Sequence, residues 1–327
     1  MSKNAELALR VVTEWNQCHG AFYFVDAADL RWNLEEQDWL EYRAVELAGV
    51  PALLASPSAQ GVAAGLPQKT LWLSLYGRIP AGKEPLFVEA FVKATKDAGK
   101  TRAHVGGEEF HFVAGIPVED EPGTRLAAAF AQAGFANSEA ADFGGSLLTP
   151  QMAKYISEAE VAAKKIACTL TTAKGDSEFA ELGMFLLKEF PGRWEREFRC
   201  WKNREDTKRA YWNILREKSG KVLGFSRLAV RGRIPDLNTG WNPGALRLPI
   251  DDMLAQRLNL DSCLGPIGIS ASERGRGAGK ILLGLSLQNL LINKADRVCI
   301  DWTNAYTYYT PLGVTFLRKF HSMWKDL

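Results

Sequence analysis

Apolar positions along this chain fall into two rhythms that alternate. QKTLWLSLYGR (residues 68–78) is a compact apolar run and predicts a strand, whereas EPLFVEAFVKATKDAG (84–99) repeats its bulky apolar residues at helical spacing. TRAHVGG (101–107) predicts a second strand, and GTRLAAAFAQAGF (123–135) a second helix ended by Gly134. The same kinds of element return later. IACTLTT (166–172) is strand-like, DSEFAELGMFLLKEF (176–190) is a helix stopped by Pro191-Gly192, and WEREFRCWKN (194–203) predicts another helix. AYWNILRE (210–217) and KVLGFSRLAV (221–230) predict a hairpin around Lys218-Ser219-Gly220. A Gly/Pro/Asn-rich loop, RGRIPDLNTGWNPGAL (231–246), and a helix rich in Asp and Leu lead to a short strand, LGPIGIS (264–270). A long apolar helix follows, then the strand RVCIDW (297–302) and a last helix around AYTYYTPLGVTFLRKF (305–320).

A chain of 327 residues is long enough for two domains at about 150 residues each. The stretch GGSLLTPQMAKYISEAEVAAKK passes from Gly/Pro-rich to a short polar helix. It sets the expected boundaries: a unit over 1–155, a linker helix over 156–165 and a unit over 166–327. Both units run strand, helix, strand, helix, and both end on an aromatic residue, three residues, glycine and an apolar residue. The first has Phe130, Gly134 and Phe135; the second has Tyr309, Gly313 and Val314. A duplicated domain is the economical reading.

Composition removes several classes of function. Hydrophobic residues at 46% and charged residues at 24% are ordinary for a soluble globular protein. A net charge of +2 provides no basic field for nucleic acid. No apolar run approaches membrane-spanning length, and MSKNAELALRVVTEW has no signal-peptide core. Cys18, Cys168, Cys200, Cys263 and Cys299 are scattered with no CxxC pair, which predicts a reduced, cytoplasmic protein. His19, His104, His111 and His321 form no i,i+4 pair and no HExxH, so no metal site is expected.

The sharpest local signal is ERGRGAGKILLGLSLQNLL (273–291). Gly275, Gly277 and Gly279 strip side chains from a loop that runs straight into a helix, and Arg274, Arg276 and Lys280 add positive charge. Exposed backbone N–H groups at a helix start, with cations nearby, suit a phosphate. A Walker A loop fits poorly, because Arg274 replaces its first glycine and Ile281 its metal-binding hydroxyl, which leaves nucleotide binding by GRGAGK as a third reading without a metal anchor. A dinucleotide fingerprint puts Lys280 at its third glycine and lies too late in the chain.

The remaining template is R/Q-x-x-G-x-G/A, which Arg274-Gly-Arg-Gly277-Ala-Gly279 matches at every position. Here the sequence resembles the GCN5-related N-acetyltransferase superfamily. LGPIGIS resembles the strand before that family's loop, KILLGLSLQNLL the helix after it, RVCIDWTN the next strand, and YYTPLGV its Y-x-x-x-G-F element. The likeness is good over 166–327 and fainter over 20–150. FPGRW and LGPIGIS resemble a bacterial subgroup built from two such domains, the layout also seen in mycothiol synthase.

The resemblance implies an α/β (α+β) fold of two tandem domains, each a mixed, mostly antiparallel central sheet flanked by helices. It implies transfer of an acetyl or other acyl group from CoA directly to a small primary amine, with no nucleic acid or membrane partner, by a monomer or homodimer. Residues Arg274, Gly275, Arg276, Gly277, Ala278, Gly279 and Lys280 would hold the pyrophosphate. A backbone N–H of Ile267, Gly268 or Ile269 would meet the thioester carbonyl, and the next strand would splay to admit the pantetheine arm. Tyr309 is the expected general acid, with Tyr306 and Tyr308 beside it and aromatic packing as the alternative. Asn304 is expected on the cofactor arm or as a helix cap. Glu195 and Asp301 are the candidate bases, Glu195 being also a plausible surface charge, and Trp194, Trp241 and Trp302 are candidate walls of an acceptor pocket. The first unit has RIPAGKEPL in place of the loop and Phe130 in place of Tyr309, so it is expected to be a degenerate copy. A catalytically silent acyl-CoA binder or scaffold is the competing reading.

Overall fold

The computed structural model describes residues 3–23, 39–63, 65–106, 115–118, 120–201, 212–230 and 260–327. The predicted loop 231–246, Trp241 within it and the Asp/Leu-rich helix lie outside these residues. Among the described residues the chain divides into two compact units, one of residues 3–141 with 318–327 and one of residues 142–317.

The first unit opens with a helix the sequence reading did not pick out, α1 (Lys3–Tyr23), and an unpredicted hairpin, β1 (Leu40–Leu47) and β2 (Val50–Pro57). The hairpin turns at Ala48-Gly49, both at positive φ (50° and 81°), as a two-residue hairpin loop requires. A short helix α2 (Ala59–Ala63) precedes β3 (Thr70–Tyr76), α3 (Glu84–Asp97), β4 (Arg102–Val105), β5 (Ile116–Pro117), α4 (Glu121–Gln132) and the start of β6 (Ala136–Ser146). Strands β1, β2 and β3 are antiparallel; β3 and β4 are parallel. The sheet continues with the last strand of the chain, β12 (Thr315–Asp326), which runs antiparallel to β4 from Met323↔Val105 to Asp326↔Arg102. Arg102 clasps Asp326 in a fork, Nε to Oδ1 at 2.6 Å and NH2 to Oδ2 at 2.9 Å.

His104 ties three of these strands together. Its Nδ1 accepts the Trp72 indole N–H at 3.0 Å, and its Nε2 lies 3.0 Å from Ser322 Oγ. An indole nitrogen only donates, so the imidazole is neutral with its proton on Nε2. Burial, with Arg102 nearby, pushes His104 down to about 4.

The second unit contains the rest of β6, then α5 (Pro150–Lys165), β7 (Cys168–Thr172), α6 (Asp176–Glu189), α7 (Arg193–Trp201), β8 (Trp212–Glu217), β9 (Val222–Val230), β10 (Ser262–Ile269), α8 (Ala278–Ile292), β11 (Arg297–Thr303) and α9 (Tyr306–Tyr309). Strands β7 to β10 are antiparallel and β10–β11 is parallel. The predicted last helix is corrected. It stops at Tyr309, passes through a 3₁₀ turn (Thr310–Leu312) to Gly313 at φ 74°, and the following residues form β12. Pro311 and a left-handed glycine end the helix where apolar content alone suggested continuation. Gly134 closes the first unit's signature in the same way, at φ 82°, and also leads into a long strand.

Helix α8 is apolar almost all round because it is covered on two sides. Ile281, Leu282 and Ala278 pack with Leu215 and Leu223 of the sheet, and its other side meets α5, where a Cβ on Gly284 would stand 2.3 Å from that of Ala159. A buried polar chain fixes its register: Ser286 Oγ lies 2.7 Å from Ser226 Oγ, Asn289 donates to Asn213 at 3.0 Å, and Thr172 donates to the same Asn213 oxygen at 2.9 Å. The residue read as part of a linker helix is thus part of the second unit's packing. Among the described residues no helix is long and apolar enough to cross a membrane.

Two outcomes follow from these contacts. Gly-to-Ala in a helix interior ordinarily stabilises by about 1 kcal/mol; Gly284→Ala is expected instead to destabilise by about 1–3 kcal/mol through overpacking, read by denaturant unfolding. For His104, the depressed folded value means the unfolded chain takes up the proton first as pH falls. Its contribution is complete above about 6.5 and drains away toward about 4. His104→Gln should flatten the stability–pH curve across that window relative to wild type.

Candidate active site

Strands β10 and β11 run together only briefly. Their parallel register is Ser262↔Val298, Cys263↔Cys299 and, last, Leu264↔Ile300. Beyond that point β10 continues to Ile269 and β11 to Thr303. The break coincides with a bulge. Against β9, Leu264 pairs with Leu228 and Ile267 with Ser226, so Gly265 and Pro266 stand opposite the single residue Arg227. Pro266 has no N–H to offer a neighbour. The two strands therefore open as a wedge whose apex lies at Leu264.

The backbone lining one side of that wedge can be assigned. Ser270 N–H bonds Leu223 C=O at 2.9 Å, on the β9 side. Polar groups alternate along an antiparallel strand, so Gly268 also faces β9 while Ile267 and Ile269 present N–H and C=O to the wedge. Arg274 Nε, 3.3 Å from Ile269 O, approaches from that side. The side chains of Ile267 and Ile269 pack beside Ala278 and Ile281. On the other face, Gly268 has no room for a side chain: a Cβ there would stand 2.6 Å from Phe190 Cζ and 2.9 Å from Phe225 Cε1.

The glycine loop lies at the open end. After a 3₁₀ turn (Ala271–Glu273), Gly275 and Gly277 adopt φ 75° and 85°, and nothing lies within 4 Å of where their Cβ atoms would be. They are glycine for conformation rather than crowding, and the space above them is open. Gly277 caps α8 without a side chain, so the first N–H groups of the helix have no partner within it. Glu273 is buried beneath the loop, bound to Lys221 Nζ at 2.7 Å and Arg276 NH1 at 3.1 Å. The Lys221 hydrogen bond, foremost, holds its carboxyl below the usual range. Glu189 accepts the Ala271 N–H at 2.9 Å, joining the end of α6 to the loop. Lys280 points along α5, with Nζ 2.6 Å from Glu158 and 5.4 Å above the Tyr155 ring.

The tyrosines separate by environment. Tyr308 donates its hydroxyl to Gly279 C=O at 2.7 Å, and burial raises its pKa, so it stays protonated and clamps the first turn of α8. Tyr309 is buried, its ring 4.9 Å from Tyr308 and 6.1 Å from Phe143. Asn304 is exposed and does not cap α9: the cap is Ala305, whose N–H bonds Thr303 Oγ1 at 3.0 Å. Glu195 forms an i,i+4 pair with Arg199 at 3.1 Å on α7. Trp194 rims the aromatic cluster, 5.0 Å from Phe190 and 5.6 Å from Phe225. Asp301 and Trp302 lie on β11, but their side chains, like all of Trp241, fall outside the described structure. Phe190, Glu273, Glu158 and the clamp by Tyr308 were not read from the sequence; only FPGRW, the tyrosine triplet and the loop's spacing pointed near them. Among the described residues no group of three His, Cys, Asp or Glu gathers as for a metal ion.

The first unit repeats part of this geometry. The β3–β4 parallel register ends at Leu73↔Val105, and Ser74 is the extra residue of a bulge against β2. Where the second unit has an open glycine loop, however, the start of α3 carries Glu84. This buried carboxylate takes Arg125 Nε at 2.7 Å. The chain supplies its own anion there, and Phe130, fully buried, occupies the tyrosine position.

No known family's sequence profile matches this chain, and no curated protein matches it. Solved structures do. The GCN5-related glucosamine N-acetyltransferase region of a fungal multi-domain GH3 β-N-acetylglucosaminidase is similar over 99% of this chain, with TM-score 0.73 and 16% identity; the chain spans 37% of that protein's length. A GCN5-related N-acetyltransferase from Sphaerobacter thermophilus is similar over 98% of this chain and 93% of its own, with TM-score 0.58 and 14% identity. A tandem protein of the same kind from the clavulanic acid biosynthesis pathway is similar over 97% of this chain and 94% of its own, with TM-score 0.52 and 15% identity. The chain has the GCN5-related N-acetyltransferase fold, and at these identities the likeness is one of fold.

The left-handed glycine at the helix start provides a check on this geometry. Gly277→Ala is expected to cost about 1 kcal/mol and Gly277→Asn less, since Asn tolerates positive φ. Equal Tm values for wild type and both variants would contradict the loop conformation.

Proposed function

We propose that this chain is an acyl-CoA-dependent N-acyltransferase that passes an acyl group, acetyl in the simplest case, directly to a small primary amine. The observation that carries this reading is the wedge between β10 and β11, with the backbone groups of Ile267 and Ile269 facing it along one side and an anion-ready glycine loop at its mouth. A long ligand with a pyrophosphate at one end and an amide-bearing arm matches that layout.

In this reading the acyl-CoA supplies the thioester, and the chain does the rest. Backbone N–H groups from Arg274 to Lys280, with the dipole of α8, hold the pyrophosphate. Arg274 and Arg276 add exposed charge. The N–H of Ile267 or Ile269 stabilises charge on the thioester oxygen as the amine attacks. Tyr309 returns a proton to the departing thiolate; Tyr308 is already committed to Gly279. The amine proton leaves through water toward Asp301, a better candidate than Glu195, whose carboxylate is engaged by Arg199. Trp194 is the candidate wall of the acceptor side among the described side chains, and Trp241 and Trp302 remain candidates from the sequence. The first unit acts as a scaffold, its phosphate position filled by Glu84.

A second reading keeps the ligand and drops the chemistry, making the chain an acyl-CoA binder. Titration calorimetry of acetyl-CoA into the intact protein should saturate at one equivalent, and Gly277→Glu should weaken binding by at least roughly tenfold. Tyr309→Phe should leave affinity within about twofold and lower turnover with a reactive amine by about a hundredfold. Saturation at two equivalents would overturn the scaffold role of the first unit. Turnover untouched by Tyr309→Phe would remove its acid role.

A further inference from the structure

The parallel ladders put the helices of the two units in register. Each ladder ends on a matched pair, Leu73↔Val105 in the first unit and Leu264↔Ile300 in the second. Helix α3 ends at Asp97, eight residues before Val105, and α8 ends at Ile292, eight before Ile300. Phe87, Phe91 and Thr95 then correspond to Leu282, Ser286 and Leu290. All six are fully buried, so the same face of each helix meets its sheet. Pro85, Glu89 and Lys93 correspond to Lys280, Gly284 and Gln288. In the second unit α5 covers those three positions: Glu158 pairs with Lys280, Ala159 crowds Gly284, and Glu160 accepts from Gln288.

In the first unit the same face is open. A groove of about 580 Å³ runs between α3 and α4 over Val88, Val92, Ala129 and Ala133, and among the described residues no third helix lines it. Val92 shows the consequence: it is half-buried, whereas its counterpart Leu287 is fully buried. Lys93, Lys96 and Lys325 stand around the groove against one carboxylate, Glu89. A helix fills this face in the other unit, and the lysines favour one that carries carboxylates beside an apolar stripe.

Helix α6 has that character. It turns Leu182 and Leu186 into the second unit's core and leaves Ala180, Met184 and Leu187 outside, at i, i+4 and i+7 on one face. Met184 is 67% and Leu187 54% exposed, although both side chains are large and apolar. The helix carries Asp176, Glu178, Glu181 and Glu189 against one cation, Lys188.

We propose that the chain self-associates by laying α6 of one copy into the α3–α4 groove of another, with Met184 and Leu187 on the apolar floor and the carboxylates of α6 toward Lys93 and Lys96. The contact is independent of the acyl-CoA reading. One helix in one groove is smaller than a standard interface, so the association is weak and concentration-dependent.

Sedimentation velocity of the intact chain from about 5 to about 500 µM tests it. Wild type should move reversibly above the monomer value, and less so at high salt. Met184→Glu removes the helix side; Lys93→Glu combined with Lys96→Glu removes the groove side. Each should weaken self-association by at least roughly tenfold. An equimolar mixture of the two variants still holds one intact helix face and one intact groove, so it should form a one-to-one complex that neither forms alone. All three positions are exposed, and thermal melts matching wild type confirm that folding is intact. A wild type that stays monomeric throughout, either variant associating as well as wild type, or a mixture no more associated than its parts would overturn the proposal.

Discussion

Everything that makes the second unit chemically interesting depends on two strands failing to stay paired. A buried backbone amide without a partner is costly, so a sheet does not open without support. Here the opening is written into β10 by one extra residue and by Pro266. It is held open from both faces. Helix α8 cannot slide to close it, because Ser286 and Asn289 are bonded into the sheet and Gly284 is seated on Ala159. On the other face Phe190 and Phe225 press against Gly268 so closely that no side chain fits. The loop and the tyrosines take their positions from the strand end and the helix start that this opening creates.

Much of this was legible in the sequence because it is local. Arg274-Gly-Arg-Gly277-Ala-Gly279 sets backbone angles within six residues, and the strand before and helix after it follow from apolar spacing. The Tyr309–Gly313 element was legible for the same reason, since its glycine must be left-handed. What stayed hidden is non-local. That Tyr308 clamps Gly279, that Glu158 claims Lys280 and that Phe190 replaces a missing side chain at Gly268 depend on residues 29, 122 and 78 positions apart in the chain. Residues 315–320, the first half of the strand Thr315–Asp326, were misread as helix because their apolar residues fit either period; the 3₁₀ turn and Gly313 before them decide the matter. The hairpin 40–57 passed unnoticed because its turn, Ala48-Gly49, is not one of the strongest turn pairs.

The two units differ most informatively where they are most alike. Both have a parallel pair that ends at a bulge, and both have a helix starting just beyond it. One helix start is bare, capped by a glycine with no neighbours, whereas the other carries Glu84 locked to Arg125. The favourable field of a helix N-terminus is the same in each. It is available to an outside anion only where the chain has not already met it with a carboxylate of its own.

The partition of β12 reaches beyond the site. The strand that pairs with β4 is synthesised more than 200 residues after it, as the 224-residue separation of Arg102 and Asp326 records. Until those residues emerge from the ribosome, the edge of β4 has no ladder partner there, and an unpaired edge invites other strands. The β4–β12 ladder cannot form before the residues of the second unit have been made. Residues 1–155 made alone would lack the strand that pairs with β4 from Met323 to Asp326.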